Sequence, residues 1–447
     1  MASHTRQRLV ALVGAAGLAL TVAACGGNNT GAKDNLDKPE CTAFKDYAGH
    51  AGKKVTIYAS IRDKEADLLQ ESWKQFADCT GIKVEYEGSG EFETQLNVKV
   101  NGNNAPDVAF VPQPGLIDTF VKGNKLKPVS DKTKSLATQN YSADWLRYAT
   151  FNGNLYGAPL GSNVKSFVWY SPKMFQEKGY KVPETWDQLI ALSNTIAGTG
   201  IKPWCAGIES GVATGWPATD WIEDVLLRDQ GPDVYDQWVA HSIPFNDPKI
   251  ASATDRVGSI LKNPNFVNGG IGDVKSIATT AFQDGGLPIV QGKCAFHRQA
   301  SFYANQWPDS AKVAADGDVF AFYFPPVDPS KGKPVLGAGE FVVAFNDRPE
   351  VQAVQTYLAS AHHANSRAKL GNWVSANKQL DLNNVASPID KESVKILQDP
   401  KTVFRFDGSD LMPSGVGAGS FWKGMTDWIT GKDTKSTLDS IEASWPK

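Results

Sequence analysis

The chain has 447 residues, which at roughly 100–200 residues per domain is enough for two or three domains that each bury a core. Hydrophobic residues make up 41% and charged residues 21%, as in typical globular proteins. The formal net charge is −3 and no block of Lys or Arg stands out, which argues against nucleic acid as a partner. All 13 Trp residues follow residue 25; most Trp residues pack in cores, but such an excess also suits a pocket that stacks on flat apolar faces.

The first 25 residues have the layout of a secretory signal. Arg6 and Arg8 precede an apolar run from Leu9 to Val22, which is shorter than the about 20 residues that a membrane-spanning helix needs. The motif "VAAC", which ends at Cys25, resembles the lipobox of bacterial lipoproteins, where the cysteine carries lipid and becomes the first mature residue. We therefore expect residues 1–24 to be a lipoprotein signal peptide. An ordinary signal peptide with an incidental cysteine is the alternative.

The segment after Cys25 has no apolar face to bury. Gly26–Glu40 is rich in Gly, Asn and charged residues, so we expect residues 25–52 to form a flexible tether. If Cys25 carries lipid, four cysteines remain and allow three disulfide pairings. They are Cys41, Cys79, Cys205 and Cys294. Metal binding is the competing interpretation, and it is weakened by the lack of any CxxC or CxxH spacing.

Strands and helices alternate through the first part of the chain. The pattern predicts strands at Lys53–Ser60, Ile82–Ser89 and Pro106–Pro112, with helices between them. Such alternation favours a parallel α/β sheet, in which ligands bind at the carboxyl ends of the strands. Those ends are Ser60–Asp63, Glu87–Gly90 and Pro112–Pro114.

Further elements are predicted after residue 150. Strand signals fall in 152–172 (two runs), 286–302 (strand, turn, strand) and 333–346 (one strand). Helices are predicted near 184–197, 218–230, 349–363 and 418–431.

Four longer motifs occur in order along the chain. They are "CTGIKVEYEGSG", "NGNLYGAPLGSNVKSFVWYSPKMFQEKGYKVPETWDQL", "QGKCAFHRQASF" and "LMPSGVGAGSFWKGMTDWITG". Together they resemble segments of the extracellular solute-binding proteins of carbohydrate ABC transporters, the family that includes maltose-binding proteins. The resemblance runs from about Val55 to Trp445, and within the family the chain is most similar to α-glucoside-binding lipoproteins. It departs from many relatives at Phe296, where they carry Met, and in its four additional cysteines.

The resemblance implies an α/β fold of the periplasmic-binding-protein-like type II, with two α/β lobes joined by a hinge and a ligand cleft between them. Mapped onto this sequence, lobe one covers 53–165 plus 338–388, and lobe two covers 166–337 plus 389–447. Proximity along the chain and this division favour the disulfides Cys41–Cys79 and Cys205–Cys294. Neither bond then crosses the cleft, where it would block closure of the lobes.

The family also implies a sugar-binding site. Such a site needs aromatic platforms for the C–H faces of a pyranose, and carboxylates, amides or Arg for its hydroxyls. Glu87 and Trp422 align with a sugar-binding carboxylate and a stacking Trp of maltose-binding proteins, and Phe302 aligns with another stacking aromatic. The remaining candidates on the predicted cleft are Gln113, Asn163, Trp216, Arg298, Glu340 and Asp410.

Two other interpretations remain. Asp220, Glu223 and Asp224 lie on one predicted helix, and a secreted glycosidase needs two carboxyl groups about 5–10 Å apart. Three acids on one exposed helix are more typical of a solvated face, and the sequence has no GxSxG or HExxH motif. His362 and His363 are placed on a surface helix rather than in a metal site. The third interpretation keeps the fold but replaces the sugar by a peptide, a polyamine or an iron chelate.

We therefore expect a receptor, not an enzyme, with no cofactor and no metal. It would bind an α-glucoside or a short oligosaccharide such as maltose, trehalose or sucrose by closure of its lobes. It would then deliver the sugar to the transmembrane permease subunits of an ABC importer. We expect a monomer, anchored through lipid on Cys25 to the outer face of the cytoplasmic membrane of a Gram-positive, actinobacterial-type cell.

Overall fold

The computed structural model describes residues 32–399 and 401–446. The predicted signal peptide and the lipidation site Cys25 lie outside the described residues. Within the described ranges, no helix combines the length and the apolar character needed to cross a bilayer.

Strands and helices alternate along most of the chain, as the sequence predicts. The strands are β1 (Lys54–Ala59), β2 (Lys83–Gly88), β3 (Val108–Val111), β4 (Thr150–Phe151), β5 (Asn154–Leu155), β6 (Gly157–Pro159), β7 (Asn163–Val164), β8 (Phe167–Tyr170), β9 (Lys202–Trp204), β10 (Cys294–Arg298), β11 (Phe320–Tyr323), β12 (Lys333–Ala338), β13 (Phe341–Ala344) and β14 (Thr402–Phe406). The α-helices are α1 (Asp63–Thr80), α2 (Phe92–Asn101), α3 (Pro114–Lys122), α4 (Asp131–Asn140), α5 (Ala143–Leu146), α6 (Pro172–Lys178), α7 (Trp186–Ala197), α8 (Trp216–Asp229), α9 (Pro232–Val239), α10 (Pro248–Leu261), α11 (Pro349–Leu358), α12 (Ala361–Ala368), α13 (Pro388–Gln398), α14 (Gly408–Leu411), α15 (Trp422–Ile429) and α16 (Thr434–Glu442).

The first lobe is built on a five-stranded sheet. Its strand order is β2-β1-β3-β13-β6; β1 runs parallel to β2 and β3, whereas β13 runs antiparallel to β3 and β6. Ala59, at the end of β1, pairs with Gly88 on one side and with Phe110 on the other. The three predicted parallel strands therefore end at one edge of the sheet. Buried apolar residues cover both faces, with Trp73 and Phe76 on one side and Phe92 and Leu96 on the other.

The second lobe is built on a four-stranded sheet of order β11-β8-β10-β9. β8 runs antiparallel to both β10 and β11, and β9 runs parallel to β10. Its core includes the large side chains of Trp204, Trp221 and Trp238, which are all buried. A third sheet, of order β14-β12-β7, lies where the chain passes between the lobes.

The two lobes are joined by chain segments that hydrogen-bond to one another. Leu160 donates its backbone N–H to the carbonyl of Glu340, and Ser162 donates its own to the carbonyl of Val374, each over 2.8 Å. β12 passes directly into β13 of the first sheet across Gly339 and Glu340. The structure thus has two α/β lobes joined by a hinge, in agreement with the expected fold.

Glycine permits a close crossing at this hinge. A Cβ atom on Gly339 would overlap the carbonyl oxygen of Gly161. This oxygen belongs to the backbone of the crossing segment, so it cannot shift as easily as the end of a side chain. We therefore expect Gly339→Ala to lower the free energy of unfolding by about 1–2 kcal/mol in urea denaturation, because the inserted methyl group strains a packed crossing. Gly415→Ala is the matched control, since a Cβ atom at Gly415 meets no atom within 4 Å. Equal losses in the two variants would contradict this explanation.

Packed structure begins before the expected start of lobe one at residue 53. Pro39–Tyr47 forms a 3₁₀-helix whose Phe44 is buried against Phe76, with ring centroids 6.0 Å apart. The disulfide Cys41–Cys79 fastens this helix to α1, with Cα atoms 5.4 Å apart. Cys205–Cys294 joins the second lobe's own segments, with Cα atoms 6.0 Å apart. The structure therefore contains both expected disulfides, but the second half of the proposed tether is part of the folded body.

Two strand predictions are wrong in detail. Leu287–Gln291 forms a 3₁₀-helix rather than a strand, because Pro288 has no N–H for a ladder and Gly292 turns the chain with φ of 67°. The single strand expected at 333–346 is two strands in different sheets, separated by the glycine crossing at the hinge.

Two helix predictions also need correction. The helix expected at 349–363 breaks into α11 and α12 at Ser360, whose hydroxyl accepts the backbone N–H of His363 at 3.1 Å and caps the second helix. His363 is buried rather than on the surface, and only His362 is exposed. The helix expected at 418–431 consists of a π-helical segment, Val416–Phe421, followed by α15.

Candidate functional site

A cavity of about 190 Å³ lies between the two lobes. On the first lobe its lining comes from the chain that follows β1, β2 and β3. These residues include Ser60, Arg62, Ser89, Gly90, Pro112 and Gln113. The edge of the sheet at which the parallel strands end therefore faces the cavity, as the strand pattern predicts.

The structure brings seven of the nine predicted ligand-contacting residues to this cavity. They are Gln113, Asn163, Trp216, Phe302, Glu340, Asp410 and Trp422. Glu87 is not among the lining residues: its side chain is 62% exposed and pairs with Lys99 at 3.3 Å. Arg298 is not among them either, because it is buried at the end of β10 and binds Asp224.

Three aromatic residues of the second lobe form one wall, which we call the aromatic wall. The ring centroid of Trp216 lies 5.1 Å from that of Phe282 and 6.1 Å from that of Phe302. All three rings are only half-buried and line the cavity. Gly215 (φ 115°) lets the start of α8 pack directly against the backbone of Trp422, which lines the cavity as well. Exposed aromatic faces inside a cavity suit the apolar faces of a ring-shaped ligand.

Sequence reasoning missed Phe282. It lies in an irregular segment before the 3₁₀-helix Leu287–Gln291, with neither helical nor strand periodicity around it. The excess of Trp in the composition suits a stacking pocket, but it does not say which aromatic residue faces a cavity.

Four buried polar atoms on the lining have no hydrogen-bond partner within residues 32–399 and 401–446. They are Gln113 Oε1, Ser162 Oγ, Asn163 Oδ1 and Trp422 Nε1. A buried donor or acceptor left unsatisfied costs about 1–3 kcal/mol. A ligand with several hydroxyl groups could both donate to the three oxygens and accept from the indole N–H.

The lining is strongly acidic. Among the residues that the structure describes, it carries seven carboxyl groups and two cationic side chains, Arg62 and Lys165. Burial raises the pKa of Glu65 to about 7, with nearby Glu340 adding to the effect. Burial also raises the pKa of Glu93 and of Glu340. An anionic ligand would find few cations in this cavity, whereas a neutral ligand would find carboxyl oxygens for hydrogen bonds.

Below the cavity lies a buried charge network that corrects one expectation. Asp220, Glu223 and Asp224 are not on a solvated face of their helix; each is 0% exposed. α8 is covered by α10, α15 and β12, so it has no free face. Its acids are tolerated because each has a partner: Asp220 and Asp224 meet cations, and Glu223 accepts the backbone N–H groups of Gly408 and Ser409.

Lys165 connects this network to the cavity. Its ammonium group donates to Asp220 over 2.9 Å and also to Asp407, and it lies 5.2 Å from the centre of the Trp216 ring. Burial raises the pKa of Asp220 to about 7, even though Lys165 and Arg298 favour its charged form. Burial acts in the same direction on Asp407, but the charge of Lys165 and the hydrogen bonds from Lys165, Asp220 and Ser409 together outweigh it and hold the pKa of that carboxyl well below its usual range.

Asp410 sits beside this pair on the cavity side. Its backbone N–H donates to Asp407 Oδ1 over 3.0 Å. Burial, together with the charge of Asp407, raises the pKa of the Asp410 carboxyl well above its usual value. Asp410 therefore tends to keep its proton at neutral pH and can donate a hydrogen bond into the cavity.

Comparison with known proteins identifies the family. A sequence model of the bacterial extracellular solute-binding proteins matches residues 62–364. The chain belongs to this family. It is 40% identical over 399 residues to the osmoprotective compounds-binding protein GgtB of Synechocystis, covering 88% of this chain and 93% of that protein. It is 37% identical over 413 residues to the alpha-glucosides-binding periplasmic protein AglE of Rhizobium meliloti, covering 90% and 89% of the two chains.

Solved structures show the same fold. A chitin oligosaccharide binding protein matches with a TM-score of 0.75 at 17% identity, covering 88% of this chain and 98% of its own. The bacterial solute receptor AcbH, described as preferring β-D-galactopyranose, matches with a TM-score of 0.74 at 19% identity and the same coverage. These two-lobed neighbours agree with the fold expected from the sequence.

Members of this family are transport receptors, so the solute-binding protein is not an enzyme. The buried acids of α8 fit that conclusion, because none of the three lines the cavity where a glycosidic bond would have to lie. Asp220, Glu223 and Asp407 bring carboxylate oxygens within 4.8 Å of one another, which is close enough for a metal ion. Lys165 already bonds two of them, and Glu223 accepts the backbone N–H of Gly408 at 2.8 Å. In this cluster the Lys165 ammonium group therefore takes the place that a metal cation would occupy between the carboxylates.

Proposed function

We propose that this solute-binding protein is the lipid-anchored receptor of an ABC importer for a sugar. Its ligand would be an α-glucoside or a short oligosaccharide such as maltose, trehalose or sucrose. The observation that carries the proposal is the aromatic wall, which faces carboxylates and unpartnered polar atoms in one cavity. Rings with apolar faces and a rim of hydroxyls match that combination.

The charge of the lining supports a neutral ligand. In the described part of the lining, seven carboxyl groups against two cations disfavour phosphorylated sugars and sugar acids. The name of the relative AglE, which refers to alpha-glucosides, supports the same ligand class. The relative GgtB is named for osmoprotective compounds, so a compact polar solute of another class is the alternative.

Binding would proceed by closure of the lobes. Contacts between the lobes support this: Lys64 Nζ lies 2.5 Å from Asp309 Oδ1, and a Cβ atom on Gly211 would lie 3.2 Å from the carbonyl oxygen of Gly90. A ligand that contacts both lobes binds the closed form better and shifts the population toward it. The closed form would then dock on the permease subunits of the importer, as a monomer held at the membrane.

The lipid anchor rests on the sequence around Cys25, which lies outside the described residues. Mass spectrometry of the mature N-terminus tests it directly. We expect a chain that begins at a lipid-modified Cys25; an unmodified cysteine, or cleavage beyond it, would refute the anchor without touching the ligand proposal.

Calorimetry tests the ligand class. We expect heat of binding with at least one of maltose, trehalose, sucrose and cellobiose, and none with glycine betaine or spermidine. Binding of the last two with no saccharide bound would favour the non-sugar alternative. Hydrolysis of a panel of nitrophenyl glycosides would contradict a receptor altogether.

Trp422→Ala is expected to weaken binding of the best saccharide by more than about tenfold, because it removes both an apolar face and an unpartnered indole N–H from the lining. Trp445→Ala is the matched control. Trp445 stacks on His241 in the second lobe, with centroids 4.0 Å apart, and does not line the cavity. An affinity equal to that of the control variant would show that Trp422 does not contact the ligand.

A further inference from the structure

The segment at the start of the described chain is fastened to one end of lobe one. Ala32 already packs there, since a Cβ atom on Gly52 would lie 2.7 Å from the Cβ atom of Ala32. Asn35 donates its backbone N–H to the carbonyl of Cys79 over 2.7 Å, and Cys41 is joined to the same Cys79 by the disulfide. This segment therefore adds no free length to a tether.

This end of lobe one lies opposite the cavity. Gly52 donates its backbone N–H to the carbonyl of Gly81 over 2.8 Å, and the two glycines lie just before β1 and β2. The cavity is lined by the chain that follows these strands. β1 has six residues, so about 20 Å separates the two ends of the sheet.

A lipid on Cys25 would keep this end of lobe one close to the membrane. Six residues, 26–31, separate Cys25 from Ala32. Even a fully extended chain of that length spans only about 25 Å. The end of lobe one that faces away from the cavity would thus be the end nearest to the lipid.

Exposed lysines surround the same end. Lys83 donates its backbone N–H to the carbonyl of Lys53 over 2.8 Å, so these two lysines lie side by side at the starts of β2 and β1. Lys127 donates its backbone N–H to the carbonyl of Ala344 over 2.9 Å, at the end of β13 and beside the start of β3. Together with Lys33, these exposed lysines form what we call the basic edge, which consists of Lys33, Lys53, Lys83 and Lys127.

The charge of the basic edge is only partly offset by its surroundings. Within residues 32–399 and 401–446, no ion pair joins any of its four lysines to an acid. Two acids at this end, Glu85 and Asp107, are already held by other cations, each over 2.8 Å. Asp34 and Asp347 offset part of the charge, and an excess of positive charge remains.

The cavity end of lobe one offers less attraction to an anionic surface. Among the described lining residues there are two cations against seven carboxyl groups. One of these cations, Lys165, is already bound by Asp220 and Asp407. Charge therefore favours the basic edge as the side of lobe one that meets anionic lipid.

We propose that the basic edge is a membrane-contacting face, which binds the anionic head groups of the phospholipid surface that carries the anchor. The receptor then stands on the end of lobe one opposite the cavity, with lobe two pointing away from the lipid. This inference rests on the proposed lipid anchor and adds the face that touches the membrane. Lysines near a surface of anionic lipid are attracted to it within about one Debye length, which is about 10 Å at 0.1 M salt.

Acetylation of the lipidated full chain, read lysine by lysine by mass spectrometry, tests this contact. The protein is bound to vesicles of phosphatidylcholine alone or of phosphatidylcholine mixed with phosphatidylglycerol. We expect the basic edge to react at least about threefold more slowly on the mixed vesicles, because the head groups cover and stabilise its ammonium groups. Lys178, Lys181 and Lys249 are matched controls, since they are exposed on lobe two, and they should react equally on both vesicles.

A pair of charge reversals checks that the basic edge itself makes the contact. Lys53→Glu combined with Lys83→Glu should abolish the protection of the other two lysines of the edge. Lys178→Glu combined with Lys181→Glu, on lobe two, should leave that protection intact. Raising the salt to about 1 M should also remove it, because the Debye length falls to about 3 Å.

The outcomes distinguish this inference from the anchor on which it rests. Equal acetylation on the two kinds of vesicle, or protection of the lobe-two lysines instead, would overturn the membrane-contacting face and leave the anchored receptor standing. Protection that survives high salt or the charge reversals would overturn the contact between lysines and head groups. A sample whose mass shows no lipid on Cys25 would overturn the anchor, and this inference with it.

Discussion

Replacing Lys165 with Met is expected to lower the free energy of unfolding by about 3–5 kcal/mol at neutral pH. The Lys165 ammonium is the shared partner of Asp220 and Asp407, and all three side chains are buried. Met fills a similar volume but leaves Asp407 without its cation and Asp220 with Arg298 alone, and a buried charge without its partner is costly. Urea denaturation of the ligand-free protein measures the loss.

The pH dependence and a matched control separate this effect from general damage. Lys165 holds the pKa of Asp407 below its usual range, so this stabilisation is present above the unfolded pKa of about 4 and is lost as the pH falls. The gap between wild type and Lys165→Met should therefore narrow toward low pH. Lys173 pairs with Asp318 at 2.5 Å, but its side chain is 62% exposed, and Lys173→Met should cost less than about 1 kcal/mol. Similar losses in both variants, or a gap independent of pH, would contradict the role of Lys165.

The same network shows where sequence reasoning stops. Asp220 looks like part of a solvated acidic stripe because its compensating cations are distant in sequence: Lys165 is 55 residues away. Arg298 is 74 residues from Asp224, although Asp224 also has a local partner in Arg228, four residues further along the helix. Helical periodicity records the local pattern only, so it cannot reveal that a cation from another element neutralises an acid. The exposure expected for these acids was wrong for that reason.

Features governed by local pattern were predicted well. β1, β2 and β3 follow from alternation and turn residues, and their shared edge follows from parallel pairing. The sequence resemblance pointed to Phe302 and Trp422, and Trp216 was a further candidate on the predicted cleft; all three line the cavity. Glu87 shows the limit of alignment: it lies only two residues before the lining residue Ser89, but its own side chain pairs with Lys99 and does not line the cavity. The lining residue Trp373 was missed because it lies in an irregular loop, and only the fold brings it beside Gly161.

Glu65→Gln should change stability and ligand affinity in opposite directions. Burial raises the pKa of Glu65 to about 7, so ionising this carboxyl group costs more in the folded protein than in the unfolded chain. The wild-type protein should therefore lose stability relative to the variant as the pH rises from about 4.5 to 7, and the difference should reach roughly 3 kcal/mol at pH 8. The same substitution removes a carboxylate acceptor from the cavity lining and should weaken saccharide binding. Glu71→Gln, on the exposed face of the same helix, should change neither the stability nor the affinity.

Denaturation at pH 4.5 and pH 8, with calorimetry at pH 8, measures both effects of Glu65→Gln. A Glu65→Gln protein less stable than wild type at pH 8 would mean that the carboxylate is satisfied in the folded protein. If instead the expected signs are found, the cavity keeps a costly charge that binding uses, which is typical of a site selected for function rather than for stability.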